Sequence, residues 1–243
     1  RHEKRFDFDC RLYTYAGSSE VRLVVTLINR QGKDTDFIPL SAFWLELPTT
    51  ITTGECLFGT EDGGIKTGNL SHDTEAYIYQ VSSSKHIFGG AVKGKGVGKQ
   101  IKPNNIGWGS LSDAWKGISI GVRWFWQLHP KSIELSADGM VRIGLYPARH
   151  NEPLKIYAGV ARTHEIQLCF YPGGTDTGKL KSTFAGLQQP LRPFAPPKWY
   201  CRDTQALGDY CEAGGPELYG PFDEKVAKFD EAFELANRRC QAF

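Results

Sequence analysis

The segment Ile118–Lys131, ISIGVRWFWQLHPK, decides the reading of the fold. Ile118, Ile120, Val122, Trp124 and Trp126 recur with a period of two, which puts them on one face of a strand. Gly121, Arg123, Phe125 and Gln127 take the other face. Both faces carry bulk, so the predicted strand, Ile118 to Trp126, is central and covered on both sides. Arg123 and Gln127 share a face with aromatic neighbours, and this admits two readings. An arginine fork pairs with a carboxylate, and aromatic rings offer an apolar surface to pyranose C–H groups, which together would suit a sugar acid. Alternatively, Arg123 is an inter-sheet arginine paired with a buried Asp or Glu.

The same strand chemistry extends outward in both directions. Upstream lie Glu20–Ile28 (EVRLVVTLI), Phe37–Leu47 (FIPLSAFWLEL) after the turn-like Gln31–Asp34, and Glu75–Val81 (EAYIYQV). Downstream come Ser132–Leu135, Met140–Tyr146, Leu154–Tyr157 and His164–Tyr171, with Asp138-Gly139 as a hairpin turn. Strands at short intervals with no helical spacer predict an antiparallel all-β fold, and this many strands predict a large two-sheet sandwich. In His164–Tyr171, alternation places His164, Ile166, Leu168 and Phe170 on one face and Glu165, Gln167, Cys169 and Tyr171 on the other. His164 thus shares a face with core residues, which fits a structural histidine as well as a catalytic one.

Composition changes after Tyr171. Pro172-Gly173-Gly174 reads as a turn, and Pro190–Pro197 resists regular structure. Residues 1–181 are expected to form the sandwich, residues 182–222 an irregular Pro/Gly-rich exit segment packed on it, and residues 223–243 a single C-terminal helix. That helix opens on Asp223 as N-cap, with Val226, Phe229 and Phe233 at helical spacing. One helix of this size is not a domain, so it reads as a cap or as the start of a further helical domain.

With 243 residues, 40% of them hydrophobic, the chain is too apolar for disorder and long enough to bury a core without metal or disulfide. Its 29 basic and 27 acidic residues leave a charge of +2, with no basic tail or stripe, which argues against a nucleic-acid partner. No apolar run reaches the length of a membrane span. The opening Arg1-His2-Glu3-Lys4-Arg5 reads as the start of a piece of a longer protein, and the compartment is left open, with an extracellular one favoured.

The six cysteines (10, 56, 169, 201, 211 and 240) contain no C-x-x-C pair and read as scattered structural thiols, although Cys201 and Cys211 could bridge locally. Gly89–Lys99 (GGAVKGKGVGK) looks like a phosphate loop, but Gly96 follows Lys95 where Ser or Thr would hold magnesium. It is left as a loop, either solvated or meeting an acidic ligand. His164-Glu165 does not extend to HExxH, because residue 168 is leucine. No cofactor is implied, and no spacing supports a metal site.

Gly121–Lys131 resembles a GVR-x-FWQ-x-x-PK signature. It is followed by Asp138-Gly139, Leu145-Tyr146-Pro147 and Ala161-Arg162-Thr163-His164-Glu165. Phe6–Asn29 is similar to the first strands of the same family, and Pro190-Leu191-Arg192 and Trp199-Tyr200 fit its exit segment. The chain resembles the central β-sandwich of the exo-rhamnogalacturonan lyase/YetA-like family. The resemblance implies an N-terminal β-barrel before the sandwich, a helical toroid after it, and an acidic pectic polysaccharide or oligosaccharide as partner. It also implies cleavage by β-elimination, which needs a base beside the uronate carboxylate and a cation to stabilise the charge that develops there. On this reading His164 and Lys131 are the candidate catalytic residues. Arg123 would be the carboxylate clamp, with Trp126, Gln127, Arg162 and Glu165 as further substrate contacts. A spacer or a non-catalytic glycan-binding module is the alternative.

Overall fold

The computed structural model describes residues 6–33, 36–92, 96–99, 107–191, 193–204 and 223–241. The chain divides into two compact units, 1–190 and 191–243.

The first unit is an antiparallel β-sandwich. Its strands in chain order are β1 (Asp7–Thr14), β2 (Glu20–Ile28), β3 (Phe37–Leu40), β4 (Phe43–Pro48), β5 (Gly54–Gly59), β6 (Ile65–Leu70), β7 (Glu75–Ser82) and β8 (Lys85–Gly90). They continue as β9 (Gly96–Lys99), β10 (Trp108–Ser112), β11 (Lys116–Val122), β12 (Lys131–Ser136), β13 (Met140–Tyr146), β14 (Leu154–Tyr157) and β15 (Ala161–Pro172). One sheet runs β1-β2-β15-β11-β10-β5-β6, the other β4-β13-β12-β7-β8-β9, and β14 pairs with β3 in a small ribbon. Asn29, fully buried at the end of β2, ties this ribbon in: its Nδ2 donates to the Ile156 carbonyl at 2.8 Å.

Alternation fills the space between the sheets. Leu23, Val25, Ile118, Ile120, Val122, Ile166 and Leu168 from one sheet meet Ile78, Phe88, Ile133, Leu135, Val141, Ile143 and Leu145 from the other. Each such side chain contributes roughly 1.5–3 kcal/mol on burial. The expected turn at Asp138-Gly139 joins β12 to β13: Asp138 Oδ1 accepts from the Met140 N–H at 2.8 Å, and Gly139 has φ 78°.

Four features differ from the sequence reading. The central strand stops at Val122 rather than Trp126. Residues 123–128 form a turn in which Trp124 is left-handed (φ 56°), so Phe125 swings into the core while Trp124 and Gln127 face outward. Phe37–Leu47 is two strands in different sheets, β3 and β4. Gly89–Lys99 is strand at both ends, where β8 and β9 pair, while residues 93–95 and 100–106 lie outside the described set.

The fourth is a helix, α1 (Thr177–Gln188), which spans residue 181. Asp176 caps it by accepting from the Lys179 N–H at 3.0 Å. Leu180, Phe184 and Leu187 bury one face against Leu57, Trp108 and Cys169 on the outer side of the seven-stranded sheet. Phe184 stacks on Trp108 with centroids 5.5 Å apart. Gly121 makes this possible, since a Cβ there would lie 2.3 Å from the Phe184 ring. Gln188 anchors the far end, donating to the Val122 carbonyl at 2.8 Å and accepting from the Trp124 N–H at 3.2 Å.

The second unit contains a five-residue π turn at Trp199–Asp203 and the expected C-terminal helix, α2 (Asp223–Gln241). The Gly214-Gly215-Pro216 stretch lies outside the described residues. Cys10, Cys56, Cys169 and Cys201 are free thiols, and burial pushes Cys56 and Cys169 up to about 12. Cys211, with which Cys201 could bridge locally on the sequence reading, lies outside the described residues.

The Gly121–Phe184 contact is testable by a double-mutant cycle in urea. Phe184→Ala should cost about 3–5 kcal/mol and Gly121→Ala about 1–3 kcal/mol. The double variant should lose less than the sum, because removing the ring relieves the clash. Strict additivity would contradict the packing described.

Candidate functional site

The GVR-x-FWQ-x-x-PK segment places its polar residues in two separate surroundings. The first lies between the sheets, at the end where β12 and β15 begin. The turn after Val122 passes through a cis His129–Pro130 bond and delivers Lys131 as the first residue of β12, pointing inward. Across the gap, β15 turns Arg162 and His164 inward by the same alternation that buries Ile166 and Leu168.

Lys131 is fully buried and His164 is 3% exposed. Lys131 Nζ lies 2.7 Å from His164 Nδ1, where a neutral imidazole accepts from the amine. The Phe43 ring flanks His164, with centroids 6.5 Å apart, and Trp126 packs against the same core. Half-buried Arg162 acts on both groups and on the Tyr146 phenol. Among the described residues Arg162 makes no ion pair, so no carboxylate offsets this cluster.

The electrostatics follow from burial. Desolvation, reinforced by Arg162, holds the Lys131 ammonium well below the ordinary lysine range. Desolvation first, then Lys131 and Arg162, lowers His164 to about 2. Burial also lowers Arg162. An anion arriving at this end of the sandwich would relieve all three.

The second surrounding is the outer face of the seven-stranded sheet. Glu165 bridges two arginines there: Arg123 Nη1 to Glu165 Oε2 at 2.8 Å, and Arg22 Nε to Glu165 Oε1 at 2.8 Å. Arg123 also lies over the Trp124 ring, 4.9 Å from its centroid. Arg123 is paired with a carboxylate, as one of the two sequence readings expects, but the pair is part-buried on the outer face of one sheet and not inter-sheet. Its carboxylate is supplied by β15, the adjacent strand of the same sheet, so the expected clamp is already closed by Glu165. Gln127 is exposed on the intervening turn and joins neither group.

The structure therefore unites Lys131, His164 and Arg162, and sets Arg123 with Glu165 elsewhere; Trp126 packs against the sandwich core. Lys131 and His164, expected as catalytic residues, have no open face and act as packing between the sheets. Sequence reasoning passed over a third group, on the outer face of the six-stranded sheet: Trp44, Glu134, Arg142 and Arg149. For Trp44, Glu134 and Arg142 the signal lay in the alternation of β4, β12 and β13, whose outward positions carry them; Arg149 follows β13 in the turn Ala148–His150. Among the described residues no three His, Cys, Asp or Glu side chains converge to hold a metal ion.

Comparison with protein-family models gives no match, and neither does comparison with curated protein sequences. Solved structures give distant likenesses. One is a GH36 α-galactosidase of Geobacillus stearothermophilus, 12% identical with a TM-score of 0.42, matching 70% of this chain and 22% of that one. Another is a proposed aldose 1-epimerase of Escherichia coli K12, 10% identical with a TM-score of 0.38, matching 71% of this chain and 63% of that one. The match thus spans about a fifth of the galactosidase and under two thirds of the epimerase. Neither likeness bears on which residues of this chain act.

The buried imidazole has a consequence for stability. It stays neutral in the folded chain down to about pH 2, whereas the unfolded chain protonates it near 6.5. The unfolded state therefore holds the extra proton between these values, and stability falls as pH drops below about 6.5. The slope approaches roughly 1.4 kcal/mol per pH unit. Between about pH 6 and pH 4, the unsubstituted chain should lose roughly 2 kcal/mol more than His164→Gln in denaturant titrations. Equal acid sensitivity in the two would contradict the buried neutral imidazole.

Proposed function

We propose that this chain is the β-sandwich of a carbohydrate-active protein and that it contributes binding rather than chemistry. The observation that carries this reading is the basic, carboxylate-free cluster at one end of the sandwich. Lys131 and His164 form its buried floor, and half-buried Arg162 is the member within reach of a ligand. A guanidinium with no internal acid is matched to a carboxylate. An acidic sugar is the ligand class that joins this charge to the resemblance carried by Gly121–Lys131. On that reading the parent protein is a pectin-active lyase acting by β-elimination. The base and the developing charge are handled on a neighbouring helical toroid, and this sandwich walls part of the uronate cleft. The β-barrel and toroid partners belong to the same proposal.

A second reading, a spacer without ligand contact, is favoured by the Arg123–Glu165–Arg22 bridge and by the burial of Lys131. In both cases the signature residues build the fold.

The two readings separate on Arg162. Titrated with galacturonate-containing oligosaccharides, the chain should bind at millimolar concentration, and Arg162→Gln should weaken binding about tenfold with little change in unfolding midpoint. Equal binding by Arg162→Gln and the unsubstituted chain would favour the spacer. For the parent, incubation with rhamnogalacturonan I oligosaccharides should raise the absorbance of the unsaturated uronate. A flat signal from the folded protein would remove the lyase reading.

A further inference from the structure

The outer face of the six-stranded sheet carries two rows of side chains set by strand register. Trp44, Gly144, Ser132 and Tyr79 lie side by side across β4, β13, β12 and β7. Beside them run Glu46, Arg142, Glu134 and Tyr77. Gly144 lets Ser132 and Pro147 close over the first row, since a Cβ there would fall 2.2 Å from Ser132 Oγ and 2.9 Å from Pro147 Cβ. Beside them is a cleft of about 200 Å³ lined by Trp44, Ser132, Glu134, Arg142, Pro147 and Arg149. Trp44, 45% exposed, forms one wall.

The polar wall is held in place by the protein itself. Glu134 Oε1 accepts from Ser132 Oγ at 2.8 Å and from Arg149 Nε at 3.1 Å. Arg149 also donates to Glu75 at 2.7 Å and lies 3.9 Å from the centroid of the Tyr77 ring. Arg142 pairs with Glu46 at 2.9 Å and with Asp138 at 3.5 Å. These groups stand fixed before any ligand arrives, so a ligand need not order them.

Charge selects the ligand. Arg142 and Arg149, which line the cleft with Glu134, are both already paired: Arg142 with Glu46 and Asp138, Arg149 with Glu75 and Glu134. Each guanidinium is already neutralised, so an anionic sugar gains no partner and meets repulsion. Carboxylate oxygens retain lone pairs that accept from hydroxyl groups, and the indole face packs against apolar C–H groups. We propose that this cleft binds a neutral pyranose, stacked on Trp44 with its hydroxyls donating to Glu134. It is a different face from the Arg162 cluster and takes the opposite class of sugar, so it does not rest on the acidic-ligand reading.

The test is an NMR titration of the chain, following the Trp44 indole N–H. The probes are the methyl pyranosides of galactose, glucose and rhamnose, with methyl galactosiduronate as the charged comparator. At least one neutral glycoside should shift the Trp44 signal saturably at millimolar concentration, and the uronate should bind at least about tenfold more weakly. Trp44→Ala should weaken neutral-sugar binding about tenfold or more. Trp44→Leu, which keeps an apolar residue on the strand, should do the same if the alanine variant folds poorly. A Trp44 signal unmoved by all three neutral glycosides up to about 50 mM would overturn the proposal. So would a uronate that binds as tightly as they do, or undiminished binding by a folded Trp44 variant.

Discussion

An amine shut between two β-sheets with a neutral imidazole beside it constrains everything around it. An ammonium is one of the most strongly hydrated charges a protein has, and among the described residues no carboxylate pairs with Lys131. Keeping the ammonium there would cost several kcal/mol, so the group gives up its proton more readily instead. The neighbours are consistent with that outcome: burial lowers His164, Arg162 penalises additional charge, and the Phe43 ring flanks the imidazole. The contact also joins the first residue of β12 to the inner face of β15, and so pins the two sheets at one end.

The signature segment accordingly contributes architecture. Gly121 admits the Phe184 ring, Phe125 enters the core, Arg123 closes on Glu165, and Lys131 reaches across to His164. What is left for ligands is what alternation turns outward or leaves at an open end: Arg162 at the end of the sandwich, and the Trp44 row on the six-stranded sheet. These differ in charge because, among the described residues, Arg162 makes no ion pair while Arg142 and Arg149 are matched.

The sequence made the sheets legible wherever β-branched and aromatic residues alternate, as in β2, β7, β11, β13 and β15. It hid β5, β6 and β10, whose segments GECLFG, IKTGNL and WGSLS are rich in glycine and small polar residues. These are strands by context: Gly109 on β10 sits under the Phe58 ring of β5, where a larger side chain would not fit. Helix α1 was obscured by Gly178 and Gly186, although Asp176 and the Leu180, Phe184, Leu187 spacing carried its signal. The break at Trp124 was invisible because alternation continues through it on paper, while a left-handed residue reverses it in space. At the candidate site, alternation foretold that His164 faces the core. It could not pair Lys131 with it, since the two are joined by sheet packing across 33 residues.

The central claim is the buried amine held well below the ordinary lysine range, and the most direct measurement is an NMR titration of the Lys131 side chain through its Cε and Nζ signals. The account predicts a midpoint well below the ordinary lysine value of about 10.4, rising when a carboxylate-bearing sugar binds at Arg162. A midpoint at the ordinary value in the folded chain would mean that Lys131 is solvated or paired with an acid, and would contradict the arrangement on which the site has been built.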